Sequence, residues 1–404
     1  MSSPKDIETL QVYKGKDLAG ELRRTKKGCE FIYDKIFLSN PSDMGICFAM
    51  PKSQSSYRHD GVNLPPFFAG LLPEGLRLKA LIKGLKTSED DLFTLLAAIG
   101  DRCVGDVYVQ RSGEIIPRPT PLKLSEVDFY QLFKDSLGVD VVQSTSEGLA
   151  GVQDKISAAM ISFPLNIAKK DKAYILKLNP KGKNNLLQNE LACLQLAKKC
   201  GLQVNKAKLV KDKNKNLGLL IERFDRRPSD QGGMEMLHQE DACQLLDLYP
   251  ADKYRISYRQ IAEALEKYST APLLDLLALI QVYAFSYLIG NGDLHGKNVS
   301  LQRDHSNGRA QLTPFYDLIC TYIYKDRKMA LKLDGKDDNI KRKSLIQFGA
   351  RHGLAQRAIE GMLDSMLEKF EKHHHLILEF EGLMKADQSL LKKMIKSRTQ
   401  DLDR

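Results

Sequence analysis

Asn291-Gly292-Asp293-Leu294-His295-Gly296-Lys297-Asn298, followed by Pro314-Phe315-Tyr316-Asp317, sets the reading of the whole chain. Asp293 can orient a hydroxyl, Asn298 five residues on can hold a divalent cation, and Asp317 can hold that cation against a nucleoside triphosphate. The hard oxygen donors of Asn298 and Asp317 suit Mg²⁺ better than zinc. Taken alone, Asn291-Gly292-Asp293 also reads as a plain turn. His295 has no second His or Cys at ligand spacing, so it reads as a loop support or a phosphate contact.

Upstream residues narrow these choices. Lys177, inside Tyr174-Ile175-Leu176-Lys177-Leu178, incurs desolvation unless an anion meets it. Glu190, thirteen residues later, lies in a helical segment that could return to pair with it. By themselves the two also fit an edge-strand lysine snorkelling outward and a surface glutamate. Gly148-Leu149-Ala150-Gly151-Val152-Gln153-Asp154-Lys155 could lay backbone N–H groups against phosphates, although a plain turn fits it too. At the end of Leu219-Leu220-Ile221-Glu222-Arg223-Phe224-Asp225-Arg226, backbone groups of Glu222 and Phe224 could meet an adenine edge. The alternative there is a strand end with surface charge. In the order Lys177, Glu190, Asp293, Asn298, Asp317, the residues follow phosphoryl-transfer enzymes and the plain readings lose ground.

Periodicity supports a sheet-rich lobe followed by a helical one. Strands are expected over 8–13 and 29–33, and helices over 76–83 and 89–98, the latter capped by Thr87-Ser88. Phe67-Phe68-Ala69-Gly70-Leu71-Leu72-Pro73-Glu74-Gly75 reads as a core segment closed by a turn. Ile116-Pro117-Arg118-Pro119-Thr120-Pro121 reads as a linker. Strands over 156–162, 174–178, 206–210 and 217–221 surround a helix over 187–200. Helices follow over 239–248, 258–268, 273–289, 356–372 and 376–394. The expected class is α+β: a two-lobed, protein-kinase-like fold with an extra N-terminal mixed α/β subdomain (1–107), a sheet-rich lobe (108–225) and a large all-helical C-lobe (226–404).

Composition sets wider bounds. The chain has 404 residues, 43% hydrophobic, enough for substantial cores. Its net charge of +10 favours an anionic partner such as ATP, nucleic acid or an acidic protein face. Seven scattered cysteines without a Cys-x-x-Cys pair fit reduced thiols in a cytoplasm. The polar start Met1-Ser2-Ser3-Pro4-Lys5-Asp6 argues against a secretory leader. The apolar run 273–289 carries Asp275, Gln281 and Ser286, so a buried helix is expected and no membrane partner.

These strings resemble the HipA family, bacterial serine/threonine kinases that act as toxins of toxin–antitoxin pairs. The resemblance rests on Ala150-Gly151-Val152-Gln153-Asp154-Lys155, Ile175-Leu176-Lys177-Leu178, Glu222-Arg223-Phe224-Asp225, His238-Gln239-Glu240-Asp241, Gly290 through Asn298 and Phe315-Tyr316-Asp317. Phe68-Ala69-Gly70-Leu71-Leu72-Pro73-Glu74-Gly75 resembles the family's amino-terminal subdomain. The resemblance implies that Asp293 is the catalytic acid, that Asn298 and Asp317 hold Mg²⁺, and that Lys177, supported by Glu190, binds ATP phosphates under the Ala150 to Lys155 loop. Glu222, Arg223 and Phe224 would form the adenine hinge. His295, Gly296, Lys297, Asn298 and Tyr316 would line the nucleotide, and Gln239 would touch the ribose side. Gly148 stands where relatives often carry an autophosphorylated serine, leaving Ser146 or Ser144 as candidates. The implied substrate is an aminoacyl-tRNA synthetase, the glutamyl enzyme favoured. The implied partners are a HipB-like helix-turn-helix antitoxin and, through it, operator DNA. Two other readings stay open: a DNA-bound co-repressor in which catalysis is secondary, and a kinase of small molecules or lipid head groups.

Overall fold

The computed structural model describes residues 3–41, 44–61, 64–100, 103–113, 122–137, 160–167, 172–180, 185–229 and 233–403. The 150–155 loop, Gly148, Ser144, Ser146 and the proline-rich linker lie outside them.

Strands β1 (Thr9–Lys14), β2 (Asp17–Thr25), β3 (Gly28–Tyr33), β4 (Ser56–Asp60) and β5 (Val107–Gln110) form an antiparallel sheet in the order β4-β3-β2-β1-β5. Alternate side chains of β1, β2 and β3, among them Leu10, Val12, Leu22 and Phe31, face a common core. The pairing of β5 with β1 carries this subdomain to Gln110, past the expected boundary at 107. Helices α1 (Lys35–Ser39), α2 (Pro66–Gly70), α3 (Gly75–Leu85) and α4 (Leu92–Ile99) cover it. The expected caps Thr87 and Ser88 are not the caps of α4: Asp91 accepts from the Thr94 N–H, and the helix starts after it. The 67–70 stretch, expected only as a core run, is helix α2 with Phe67 and Phe68 buried.

After α5 (Phe129–Asp135), strands β6 (Ile161–Ile167), β7 (Lys172–Leu178), β8 (Ala207–Lys211) and β9 (Leu217–Glu222) make a second antiparallel sheet, β6-β7-β9-β8. Helix α6 (Leu186–Lys199) interrupts it in sequence. Phe129, Phe133, Phe163, Leu176 and Leu178 join the core of the first subdomain, so subdomain and sheet lobe share one apolar interior. The inner face of α6 instead joins the helical lobe's core through Cys193, Leu196 and Ala197.

The helical lobe also carries two small sheets, β10 (Arg226–Pro228) with β11 (Met234–Met236), and β12 (His238–Asp241) with β13 (Ser300–Arg303) and β14 (Ala310–Leu312). The helix expected over 239–248 is therefore corrected. Residues His238 to Asp241 pair with β13, some 60 residues ahead, and only α7 (Ala242–Leu245) is helical, started by a capping box of Asp241 and Gln244. Helices α8 (Tyr258–Tyr268), α9 (Pro272–Ile289), α10 (Arg342–Arg351) and α11 (Gln356–His373) follow. The helix expected over 376–394 is broken into α12 (His375–Leu378) and α13 (Lys385–Asp403), with Gly382 at φ +90° between them. By length and composition α9 could cross a bilayer, but 67% of it is buried, and it packs as the lobe's central helix.

Buried charges bind the subdomain to the lobes. Asp225, after β9, accepts a fork from Arg223 (2.8 and 2.6 Å), a bond from Arg226 (2.9 Å) and the Gly105 N–H (2.9 Å). Burial works to raise its carboxyl, but the two guanidiniums outweigh it and hold the pKa at about 2 against an ordinary 3.8. The folded chain therefore binds fewer protons than the unfolded chain in that window, and stability falls as pH drops from about 4 to about 2. Asp225→Asn removes that acid-sensitive increment. It also leaves two buried guanidiniums without their carboxylate and should cost about 3 kcal/mol at neutral pH. Urea denaturation at pH 7 and pH 3 measures both effects.

Candidate active site

Lys177 lies on the same face of β7 as Ile175, and both side chains line an open cleft between the lobes, whose two adjoining parts hold about 270 and 260 Å³. Its Nζ donates to Glu190 Oε1 at 2.7 Å and also contacts Asp317 Oδ1. Burial works to lower the lysine pKa, but the Asp317 and Glu190 carboxylates outweigh it, so the net shift is upward and Lys177 stays charged. Burial pushes the Glu190 carboxyl up, and Lys177 restrains that rise. Glu190 Oε2 is buried without a hydrogen-bond partner among the described residues.

Asp317 adopts a left-handed φ of +54°, a conformation Asp tolerates and one often seen at functional sites. Its second oxygen accepts from Asn298 Nδ2 at 3.4 Å. The Asn298 amide oxygen accepts the His295 N–H at 3.0 Å, which folds Gly296–Asn298 into a single 3₁₀ turn. Two oxygen-bearing side chains thus face the cleft beside Lys177. Such a set fits Mg²⁺, which is usually held by one or two carboxylates plus the phosphates of its substrate.

The loop carrying these groups is held from behind. Helix α9 ends at Gly290 in the left-handed region (φ +74°), where a Cβ would meet Met394 and Tyr322 within 2.8 Å. The Gly292 N–H donates to Thr321 Oγ1 at 2.7 Å, and Thr321 passes its own proton to the Asp326 carbonyl at 2.8 Å. Asp293 is 2% exposed and outside the cleft lining; the Tyr254 hydroxyl donates to its Oδ1 at 2.8 Å.

The remaining expected residues divide. His295, Lys297, Asn298, Tyr316, Arg223, Phe224 and Gln239 line the cleft with Lys177 and Asp317. Lys297 is paired with Asp241 at 2.6 Å, and the Arg223 guanidinium is committed to Asp225 and the Cys103 carbonyl. Gly296 is buried and gives its N–H to the Lys253 carbonyl at 3.0 Å. At the expected hinge, the Glu222 carbonyl accepts from Asn205 and the Phe224 carbonyl from Gln302, leaving each one further lone pair. Gln239 Oε1 is buried without a hydrogen-bond partner among the described residues.

Sequence reasoning missed a third wall. Leu71, Leu72, Pro73, Glu74 and Arg77 of the N-terminal subdomain line the cleft, as does Lys253. It also missed Asp241, whose capping-box spacing with Gln244 was the available signal, and Tyr254, for which the sequence carried none.

Thr321→Val keeps the side-chain shape and leaves the Gly292 N–H unpaired. A cost of about 1–3 kcal/mol is expected, with faster amide exchange at residues 291–293 by hydrogen–deuterium exchange. Gly292→Ala should displace the loop itself, because its Cβ would meet the Lys328 carbonyl oxygen at 2.6 Å. The same exchange experiment reads that effect.

The chain matches the HipA N-terminal domain family over residues 10–110 and the HipA-like C-terminal domain family over residues 148–374. It is 28% identical over 346 residues to a candidate kinase of Sinorhizobium fredii, covering 81% of each chain. It is 29% identical over 297 residues to the serine/threonine-protein kinase toxin HipA of Shewanella oneidensis, covering 67% of each. The HipA chain of a Shewanella oneidensis HipA, HipB and operator DNA complex shares the fold, with a TM-score of 0.76 at 22% identity over 97% of this chain and 96% of that one.

Proposed function

The chain belongs to the HipA family of kinase toxins, and on that premise we propose that it transfers the γ-phosphoryl group of Mg²⁺-bound ATP to a serine or threonine hydroxyl of a protein. The observation that carries this reading is Lys177, a buried cation between Glu190 and Asp317, with Asn298 beside Asp317. A structural ion pair needs one carboxylate. Two carboxylates around one lysine, one of them on a cleft-facing left-handed residue, suit a site where phosphate oxygens exchange with Asp317.

In this reading Lys177 binds phosphate oxygens and Glu190 keeps its ammonium aimed. Asn298 and Asp317 hold Mg²⁺, which when bound neutralises charge on the phosphates. Asp293 orients the acceptor hydroxyl and takes its proton as the new O–P bond forms and the bond to the β-phosphate oxygen breaks. The apolar slot of Ile221, Phe224 and Tyr316 receives the base, and Gln239 the ribose side. Lys297, paired with Asp241, braces the loop. The family resemblance assigns the phosphate-covering role to Ala150, Gly151, Val152, Gln153, Asp154 and Lys155 and self-modification to Ser146 or Ser144, all outside the described residues.

For the acceptor we propose an aminoacyl-tRNA synthetase, the glutamyl enzyme first, whose modification halts translation. A HipB-like helix-turn-helix antitoxin on operator DNA is the proposed partner, supported by the Shewanella oneidensis relative solved with both and by the net charge of +10. Seven free, buried thiols are consistent with work in the cytoplasm.

Incubation with labelled ATP, Mg²⁺ and purified glutamyl-tRNA synthetase tests the reading. Label should enter the synthetase, and Asp293→Asn should lower the rate by a factor of about 100 or more. Transfer by that variant at the native rate would remove Asp293 from the mechanism. Label in another protein, with none in the synthetase, would change the substrate and leave the kinase standing.

A further inference from the structure

A short segment after the turn Pro250–Asp252 connects the N-terminal subdomain to the catalytic loop. Lys253 works in two directions: its Nζ pairs with Glu74 Oε2 at 2.9 Å, and its carbonyl accepts the Gly296 N–H at 3.0 Å. The next residue, Tyr254, donates its hydroxyl to Asp293 Oδ1 at 2.8 Å and packs edge-on against the His295 ring at 5.0 Å. Two more bonds run from the same stretch of the subdomain to the same region. Lys297 Nζ donates to the Gly70 carbonyl at 3.2 Å, and Gln244 Nε2 to the Phe67 carbonyl at 3.0 Å. The run Phe67 to Glu74, which the sequence shows only as apolar core closed by a turn, thus meets the loop directly at Lys297, reaches it through Lys253, and meets α7 at Gln244.

We infer that Tyr254 is a positioning residue for Asp293, held in register by the Glu74–Lys253 pair, so that the 67–74 segment of the N-terminal subdomain is a working part of the phosphotransfer site. The inference rests on the kinase reading of Asp293. A carboxylate rotates freely about its last side-chain bond, and a base that must meet one hydroxyl in one geometry gains from having one oxygen pinned. Tyr254 pins Oδ1. The loop's own bond from the Asp293 N–H to Asn291 Oδ1, at 2.9 Å, fixes the backbone beneath it. Burial, reinforced by the charge of Asp293, pushes the Tyr254 pKa up, so the phenol stays a donor. The Glu74 side chain is 35% exposed, so its pair with Lys253 adds little to stability and its effect belongs in the rate.

The test uses the full chain with Mg²⁺-ATP and a protein acceptor. Tyr254→Phe keeps the ring and removes only the donor. It should lower kcat about tenfold, with the KM for ATP within about twofold of native. Added to Asp293→Asn, the same change should produce no further loss, because Tyr254 acts through Asp293. Glu74→Lys should lower kcat, and Lys253→Glu in the same chain should restore it. A native kcat in Tyr254→Phe, beside an inactive Asp293→Asn, would overturn the inference. So would an additive loss in the double variant, or no recovery in the charge-swapped pair. Native activity in Asp293→Asn alone would instead overturn the catalytic role of Asp293 on which the inference rests.

Discussion

A single buried ammonium organises this molecule. Lys177 is 7% exposed and Glu190 fully buried, and a charge in that position costs several kcal/mol unless opposite charge meets it at close range. Three separately packed pieces supply what it needs. The lysine comes from β7, whose core is shared with the N-terminal subdomain, Glu190 from α6, which is rooted in the helical lobe, and Asp317 from the segment after the 291–298 loop. The lobes cannot slide or part without exposing or orphaning one of these groups.

The same logic repeats around the cleft. Asp225 gathers Arg223, Arg226 and the Gly105 N–H where the sheet lobe ends, tying that end to the subdomain. Asp106 meets Lys14, His238 and His305, and His238 passes on to Glu240, which accepts the Phe48 N–H. Across these joints the contact is made by directional buried charge pairs, which fix register more sharply than apolar packing, since each tolerates little displacement before a partner is stranded. The N-terminal subdomain is therefore built into the wall of the cleft, with Glu74 and Arg77 among its lining.

What the sequence made legible follows from the range of the forces involved. Lys177 could be picked out because a lysine inside a short apolar strand is a local signal, and the structure brings it together with Glu190, Asn298 and Asp317. Tyr258–Tyr268 and Pro272–Ile289 could be read because an apolar stripe or a continuous apolar run is a local signal. His238–Asp241 misled because its strand identity comes only from pairing with β13 far along the chain, and the end of the subdomain shifted because β5 closes a sheet begun by β1. Tyr254 and Lys253 left no trace, since nothing local distinguishes a tyrosine that meets a distant carboxylate from one in a core. The subdomain's wall of the cleft was hidden for the same reason.

The most direct measurement is the structure of this protein with Mg²⁺ and a non-hydrolysable ATP analogue. The account predicts that Lys177 keeps Glu190 and exchanges Asp317 for phosphate oxygens, with the metal held between Asn298 and Asp317 and the base near Phe224 and Tyr316. A nucleotide bound elsewhere, or one in the cleft with the Lys177–Asp317 contact intact and no phosphate on Lys177, would contradict it.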